Sequence, residues 1–182
     1  VNLGQLFFNV GMLKECIEIY ERVTENLPNY PIIYYNLGIA YFRTGNLKKA
    51  IETFQTSIDL DPEMAMSHYY LGLIYLSQRQ PAQAKRNFGK VFEISPESKI
   101  IHYHLSQCHM QMREWSDALQ HLEILLENDP TNANAWYNKA LVHFEQHDHP
   151  KSIRALEKVL ELNPEDAAAK NLRHYITNVQ EP

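Results

Sequence analysis

Residues 31–64 read PIIYYNLGIAYFRTGNLKKAIETFQTSIDLDPEM, and residues 65–98 repeat the same order of apolar, small and turn-forming side chains. A proline marks the period, because it recurs every 34 residues at Pro28, Pro62, Pro96, Pro130 and Pro164. A small side chain keeps the same interval at Cys16, Ala50, Ala84, Ala118 and Ser152. So does a large apolar side chain, at Tyr20, Phe54, Phe88, Leu122 and Leu156. Self-similarity at one fixed period is the signature of a protein built from stacked structural repeats.

Each repeat predicts a pair of antiparallel helices. Apolar side chains such as Ala50, Phe54 and Ile58 are separated by four residues, which is the spacing of one helix face. The turn-forming sequence at residues 44–46, Thr-Gly-Asn, separates the two helices. The proline of each period ends the second helix, because proline cannot continue one. The small side chains then mark the positions where the two helices cross closely.

Two repeats carry the complete set of marked positions. They are Tyr34, Leu37, Gly38, Tyr41, Ala50, Phe54 and Pro62 in one, and His68, Leu71, Gly72, Tyr75, Ala84, Phe88 and Pro96 in the next. This order of residues resembles the tetratricopeptide repeat family, whose unit has the same length. Residues 99–166 depart from the pattern, since His109 and His143 take the aromatic position and Lys139 an apolar one.

The resemblance implies an all-α fold, a right-handed superhelical solenoid of antiparallel helix pairs, in a single domain over residues 1–182. Its five repeats would span residues 1–30, 31–64, 65–98, 99–132 and 133–166, with the first four positions of the first repeat missing. Residues 167–180 predict a capping helix, because one side is apolar and the other polar. The apolar side carries Ala168, Leu172, Tyr175, Ile176 and Val179.

The first repeat lacks a cap of this kind. Leu3, Phe7 and Val10 would therefore open the stack on an uncovered edge. We interpret the sequence as a fragment or the ordered core of a longer chain, with more repeats before it. The same edge predicts a second role, in which two copies of the chain associate through these residues.

Composition narrows the classes of partner. The 182 residues are 45% apolar and 21% charged, with a formal net charge of −5, so the chain has enough apolar residues for a core. The acidity argues against a general nucleic-acid-binding protein, which needs basic side chains against phosphate. The longest apolar run, residues 69–76, is far shorter than the roughly 20 residues that span a bilayer. The expected location is cytoplasmic, unless a targeting segment has been removed.

Patterns for catalysis or metal binding are weak in this sequence. His143, His147 and His149 have a spacing that can place imidazoles on one helical face for zinc. His143 occupies the aromatic packing position, however, so we expect its ring between the two helices. His102 and His104 lie two residues apart and face different ways on a helix. Since no glycine-rich phosphate loop is present either, we predict no enzyme activity, no cofactor and no metal site.

The resemblance also implies where a partner would bind. In this family the concave wall is built from the first helices, at the second, fifth, sixth, ninth, twelfth and thirteenth positions of each repeat. Across residues 31–166 these columns give 24 positions, and only Arg43 and Glu145 are charged. The predicted groove is therefore apolar and neutral. Its predicted residues are Tyr35, Asn36, Ile39, Phe42, Tyr69, Tyr70, Tyr103, His104, Gln107, Tyr137, Asn138 and Tyr175.

A tyrosine fills the fifth position of four repeats, at Tyr35, Tyr69, Tyr103 and Tyr137. Packing of the repeat does not demand tyrosine there, because other columns fill the core. Tyrosine offers a large contact area and a hydroxyl, which favours a binding role. The alternative is a ladder of rings that stiffens the superhelix. Asn36 and Asn138 at the sixth position are similar to the asparagine ladder of some family members, which holds the backbone of an extended peptide.

We therefore predict a non-catalytic protein–protein interaction scaffold or adaptor. Its partner would be a protein segment, extended or helical, with apolar or aromatic side chains. The tyrosines at the fifth position argue against the carboxylate clamp of chaperone-binding family members. Two alternatives stay open: a homo-oligomeric assembly scaffold joined through the N-terminal edge, and a substrate-recruiting module of a larger enzyme.

Overall fold

The computed structural model describes residues 12–178, and within this range the chain forms ten α-helices. They are α1 (Leu13–Asn26), α2 (Pro31–Arg43), α3 (Leu47–Leu60), α4 (Ala65–Ser77), α5 (Pro81–Ile94), α6 (Lys99–Gln111), α7 (Trp115–Asn128), α8 (Ala133–Glu145), α9 (His149–Leu162) and α10 (Ala167–Asn178). From residue 31 onward each predicted repeat holds two of these helices, packed against each other. The predicted all-α architecture of antiparallel helix pairs is confirmed.

The ends of the helices follow the period prolines. The helices α3 and α5 end at Leu60 and Ile94, two residues before Pro62 and Pro96. A residue that precedes proline is pushed out of the helical conformation by the proline ring, which explains this constant distance. The structure thus confirms that each period proline follows the end of a second helix.

The turn inside each helix pair uses the left-handed conformation at one fixed position. Gly45 has φ +76° between α2 and α3. The equivalent positions of the later repeats are Arg79, Arg113 and His147, with φ of 56°, 59° and 60°. Only the first of these turns carries the glycine that this conformation favours. The helix pair therefore forms even where the turn residue is unfavourable, because packing between the helices dominates.

The described helices divide into two compact units, the first ending at Glu97 and the second beginning at Ser98. In the first unit one buried cluster runs from Cys16 through Phe54 to Ile74. In the second unit one cluster surrounds Leu122, and another surrounds Leu156 and includes Ile176 of α10. The proposal that residues 1–182 form a single domain stays a prediction.

The helix α10 packs against α9 as the last helix of the second unit. Its buried side carries Ala169, Leu172 and Ile176, whereas Ala168 and Tyr175 are exposed. The sequence-based assignment of Ala168 and Tyr175 to the buried side was wrong. One residue along a helix is a rotation of about 100°, and both side chains lie just outside the arc that α9 covers.

Some predictions concern residues outside the described range. Leu3, Phe7 and Val10, which would form the self-association edge, precede residue 12, and Val179 follows residue 178. Among the residues that the structure describes, no helix combines the length and the apolar character needed to cross a membrane.

Candidate protein-interaction surface

The tyrosines of the first unit lie on the aromatic core of their own repeats. The ring centroids of Tyr35 and Phe54 are 6.3 Å apart, and those of Tyr69 and Phe88 are 6.1 Å apart. Both tyrosines are half-buried. Packing of the repeat therefore uses the fifth position in part, because the phenylalanine ring extends far enough to touch it. These tyrosines support the fold and also present their outer edge to solvent.

Tyr70 links the rings of the first unit into one network. Its centroid is 6.2 Å from Tyr35, 5.5 Å from Phe42 and 5.4 Å from Phe54, on which it is stacked at 10°. It also meets Tyr69 edge to face at 5.7 Å. Burial raises the pKa values of the Tyr35 and Tyr69 hydroxyls, and the nearby Tyr70 adds to the effect. Both phenols are therefore neutral at physiological pH and can donate hydrogen bonds.

Two residues of the predicted groove are buried in the structure. Ile39 has 7% of its surface exposed and belongs to the core of the first unit, and His104 has 9% exposed. At this exposure each offers little contact area to a ligand, and their assignment to the groove stays a prediction.

An exposed apolar column was missing from the sequence-based site. Ile32, Met66 and Ile100 occupy the second position of three successive repeats, and 45%, 46% and 50% of their surfaces are exposed. Each lies three residues before the tyrosine of its repeat, hence on the same helix face. The signal was present in the sequence as one more apolar column at the common period. The column counts among the 24 positions of the concave wall, but its residues were not named as part of the predicted groove.

In the second unit, Tyr103 lines a cleft of about 280 Å³. Ile100 and Leu125 give this cleft apolar walls beside the tyrosine, and several side-chain amides surround it. Those amides belong to Asn128, Asn132 and Asn134. The cleft thus combines an aromatic and aliphatic floor with groups that can both donate and accept hydrogen bonds.

The remaining predicted groove residues of the second unit differ in exposure. Gln107, Tyr137 and Asn138 are half-buried, whereas Tyr175 is exposed and meets Phe144 edge to face at 5.9 Å. The Asn138 Nδ2 atom is buried without a hydrogen-bond partner among the described residues. Asn36 of the first unit is half-buried as well.

The histidines at zinc-like spacing do not form a metal centre. His143 is buried between the helices of its repeat, as predicted, whereas His147 is exposed in the turn. Within residues 12–178, the metal-ligating side chains that do converge are those of His109, Glu114 and Asp117. The sequence-based analysis missed this group, because its members lie on both sides of a turn.

Three family models described as tetratricopeptide repeat match the sequence. One matches residues 31–64 and again residues 133–166, the second matches residues 49–99, and the third matches residues 75–141. A comparison with curated proteins found no significant match.

Solved structures of repeat proteins share the fold. YrrB, described as a TPR protein with an unusual peptide-binding site, has a TM-score of 0.88 at 21% identity, over 95% of this chain and 89% of that chain. MamA from Desulfovibrio magneticus RS-1 has a TM-score of 0.84 at 20% identity, over 91% and 94% of the two chains. The APC/C hetero-tetramer Cut9–Hcn1 gives a TM-score of 0.75 at 18% identity, over 96% of this chain and 35% of that chain. Because the residue pattern, the helix pairs and the family models agree, the chain belongs to the tetratricopeptide repeat family.

Proposed function

We propose that the chain is a non-catalytic protein-interaction scaffold that binds a peptide segment of a partner protein on the first helices of its repeats. Helix-pair repeats of this kind generate extended binding surfaces, which supports a scaffold role. The similarity to YrrB, described as a peptide-binding TPR protein, is in line with this proposal. The proposal assigns no catalytic residue and no cofactor.

The exposed apolar column at the second position carries the proposal. Ile32, Met66 and Ile100 place branched or flexible apolar side chains in solvent beside half-buried tyrosines. Solitary exposed apolar residues are common on protein surfaces, but a recurring row next to aromatic rings is typical of an interaction site. The wall columns themselves are nearly uncharged, which favours an apolar ligand, although Lys99 and Asp129 also line the cleft beside Tyr103.

We infer a division of roles among these side chains. The outer edges of Tyr35, Tyr69, Tyr103 and Tyr137 would contribute contact area and hydroxyl donors. The apolar column would receive aliphatic or aromatic side chains of the ligand. Asn36 and the asparagines beside Tyr103 would pair with its peptide groups, because an amide side chain both donates and accepts.

The test has to separate binding from folding. Replacing Tyr69 or Tyr103 by alanine would also remove contacts with the core, so the exposed column provides the cleaner variants. A partner is first captured from lysate of the source organism, and its binding segment is mapped with overlapping peptides. The affinity of that segment is then measured by calorimetry for wild type and for the double variant Ile32→Ser/Met66→Ser, which changes two exposed residues of the first unit.

We expect the double variant to bind about thirtyfold more weakly, since two exposed apolar contacts of roughly 1 kcal/mol each are lost. The matched control is Leu60→Ser/Leu162→Ser, which changes two exposed apolar residues at the ends of second helices. Equal affinities in the variant, the control and wild type would contradict the proposed binding surface.

A further inference from the structure

The cleft between the two helices of the fourth repeat, α6 and α7, holds a concentration of metal-ligating side chains. His109 Nδ1 lies 2.6 Å from Glu114 Oε2 and 3.8 Å from Asp117 Oδ2. All three ligand atoms lie within 4.8 Å of one another. His109 is buried, Glu114 is half-buried and Asp117 is exposed, so the group opens to solvent on one side.

The turn between the helices brings these residues together. His109 is in the last turn of α6, Glu114 directly precedes α7, and Asp117 is in the first turn of α7. Arg113, with φ 59°, reverses the chain between them. Glu114 stands at the N-cap position of α7 but makes no side-chain capping hydrogen bond. Its carboxylate instead turns towards His109, and the positive end of the α7 dipole favours negative charge at both acids.

The same cleft in the second repeat is built differently. There Tyr41 takes the place of His109, and its hydroxyl donates a hydrogen bond to Glu21. Lys49 Nζ lies 3.2 Å from the same Glu21 oxygen and 3.1 Å from the Tyr41 hydroxyl oxygen. Lys49, at the position that Asp117 takes in the fourth repeat, therefore supplies the positive charge beside Glu21, which belongs to α1 of the preceding repeat. In the fourth repeat the cleft instead contains one imidazole and two carboxylates, a set of groups that can bind a metal cation.

Two further imidazoles, those of His121 and His102, lie next to His109 on α7 and α6. The ring of His121 stacks on His109, with centroids 5.4 Å apart and planes at 28°. His121 Nδ1 lies 2.9 Å from His102 Nδ1. One of these two nitrogens must donate and the other accept, so at least one of the two rings is neutral. The stack restrains the orientation of His109 without placing two positive charges behind it.

We propose that His109, Glu114 and Asp117 bind a divalent first-row transition-metal ion, for which zinc is the best match. In tetrahedral zinc sites with bonds near 2.0–2.1 Å, ligand atoms are about 3.3 Å apart. The two distances from His109 Nδ1 lie on either side of this value, so changes of about 0.7 Å and 0.5 Å in these two separations would bring them to it. Water occupies the fourth position, on the open side.

The donor set explains the choice of metal. Calcium and magnesium require six or more oxygen ligands, whereas an imidazole with two carboxylates suits zinc and its neighbours. The metal replaces the proton on His109 Nδ1 and breaks the hydrogen bond to Glu114, so the ring binds the ion as its neutral Nε2–H tautomer. From the imidazolium form the Nδ1 proton is released to solvent, and from the neutral Nδ1–H form it moves to Nε2 by way of solvent. The ion then ties α6 to α7 across the turn and stabilises this helix pair by mass action. The sequence predicted no metal site because the convergence of His109, Glu114 and Asp117 depends on how the turn folds α7 against α6.

The experiment titrates ZnCl2 into the full chain after removal of metals with EDTA, followed by calorimetry and by the midpoint of thermal unfolding. We expect one zinc ion per chain and a higher midpoint. Because loss of the buried His109 could unfold the repeat, the diagnostic variants are Glu114→Gln and Asp117→Asn, which keep the side-chain shapes. Each should weaken zinc binding by about tenfold or more and reduce the shift in midpoint.

Two control variants make the result specific. Glu127→Gln changes an exposed carboxylate on the same helix α7, and His147→Asn changes an exposed histidine of the other histidine group. Both should bind zinc like wild type, and magnesium at equal concentration should leave wild type unchanged. The proposal is overturned if Glu114→Gln and Asp117→Asn bind zinc as wild type does, if only His147→Asn loses zinc, or if wild type takes up none.

Discussion

Gly72 shows how a single atom controls the spacing of two helices. A Cβ at this position would lie 2.6 Å from Cε1 of Phe88, and a Cβ at Gly38 would lie 2.7 Å from the ring of Phe54. Both rings are fully buried and have no open space to move into. The later repeats carry Ser106 and Ala140 in this column, where Leu122 and Leu156 replace the aromatic ring. Where the second helix carries leucine instead of phenylalanine, the first helix therefore carries a residue larger than glycine.

Gly72→Ala is therefore expected to destabilise the first unit. Overpacking of a buried contact costs about 1–3 kcal/mol, which exceeds the usual gain from replacing glycine by alanine in a helix. Urea denaturation followed by circular dichroism measures the change in the free energy of unfolding.

Gly89→Ala on α5 is the matched control, because nothing lies within 4 Å of a Cβ there. This substitution should stabilise the protein by about 0.5–1 kcal/mol, the ordinary helix-propensity difference between the two residues. If Gly72→Ala stabilised the protein as much as Gly89→Ala, the close approach of the Phe88 ring would be refuted.

At the scale of the single helix, side-chain caps stabilise the N-termini of some helices. Asn46, Asn132 and Asp148 accept hydrogen bonds from backbone N–H groups at the starts of α3, α8 and α9. Asp166 does the same for α10, where its carboxylate accepts from the Ala169 N–H at 2.9 Å. Other helices, such as α2 and α5, begin with proline instead, which has no N–H to satisfy.

Asp166→Ala should selectively weaken α10. Loss of an N-cap costs about 1 kcal/mol, and the part of α10 packed into the buried cluster of its unit is small, consisting of Ala169, Leu172 and Ile176. Hydrogen exchange of the α10 amides should accelerate about fivefold, which is the same free energy expressed as an opening equilibrium.

The control for this prediction is Glu165→Ala. Its carboxylate makes an exposed ion pair with Lys170 at 3.0 Å, and exposed pairs contribute little to stability. Exchange in α10 should therefore change less than in Asp166→Ala. Equal acceleration in both variants would show that the cap does not hold the helix.

At the scale of the whole molecule, the described histidines make stability depend on pH. Burial lowers the pKa values of His102, His104 and His143 below the ordinary value of 6.5. For His143 burial outweighs the nearby Asp148, which raises the pKa, and Lys139 and Lys151 act in the same direction as burial. The unfolded chain therefore binds more protons than the folded chain once the pH falls below about 6.5. This part of the stability is complete above that pH and is lost progressively below it.

We expect the midpoint of thermal unfolding to fall between about pH 7.5 and pH 5.5, measured in buffer with EDTA. His143→Phe removes one of the three titrating groups, so its midpoint should fall less over the same interval, whatever its value at pH 7.5. The exposed His174 supplies the control, since His174→Asn should keep the full drop. A pH dependence in His143→Phe as steep as in wild type would contradict the assignment.

Much of the molecule was determined by the sequence alone. The helix pairs, their ends before the period prolines and the burial of columns such as Ala50 and Phe54 all follow from spacing within a repeat. These features depend on contacts between residues a few positions apart or at equivalent positions of successive repeats. The period therefore contains the information needed to predict them.

Only the tertiary structure decided the exposure of individual side chains and the chemistry of each cleft. Ile39 is buried and Ile32 is exposed, although both are isoleucines on the same helix face of α2. His109, Glu114 and Asp117 converge only because a turn folds α7 back on α6. The physical reason is that the repeat pattern specifies which positions pack, whereas the shape of the neighbouring side chains determines how much surface remains and which atoms meet.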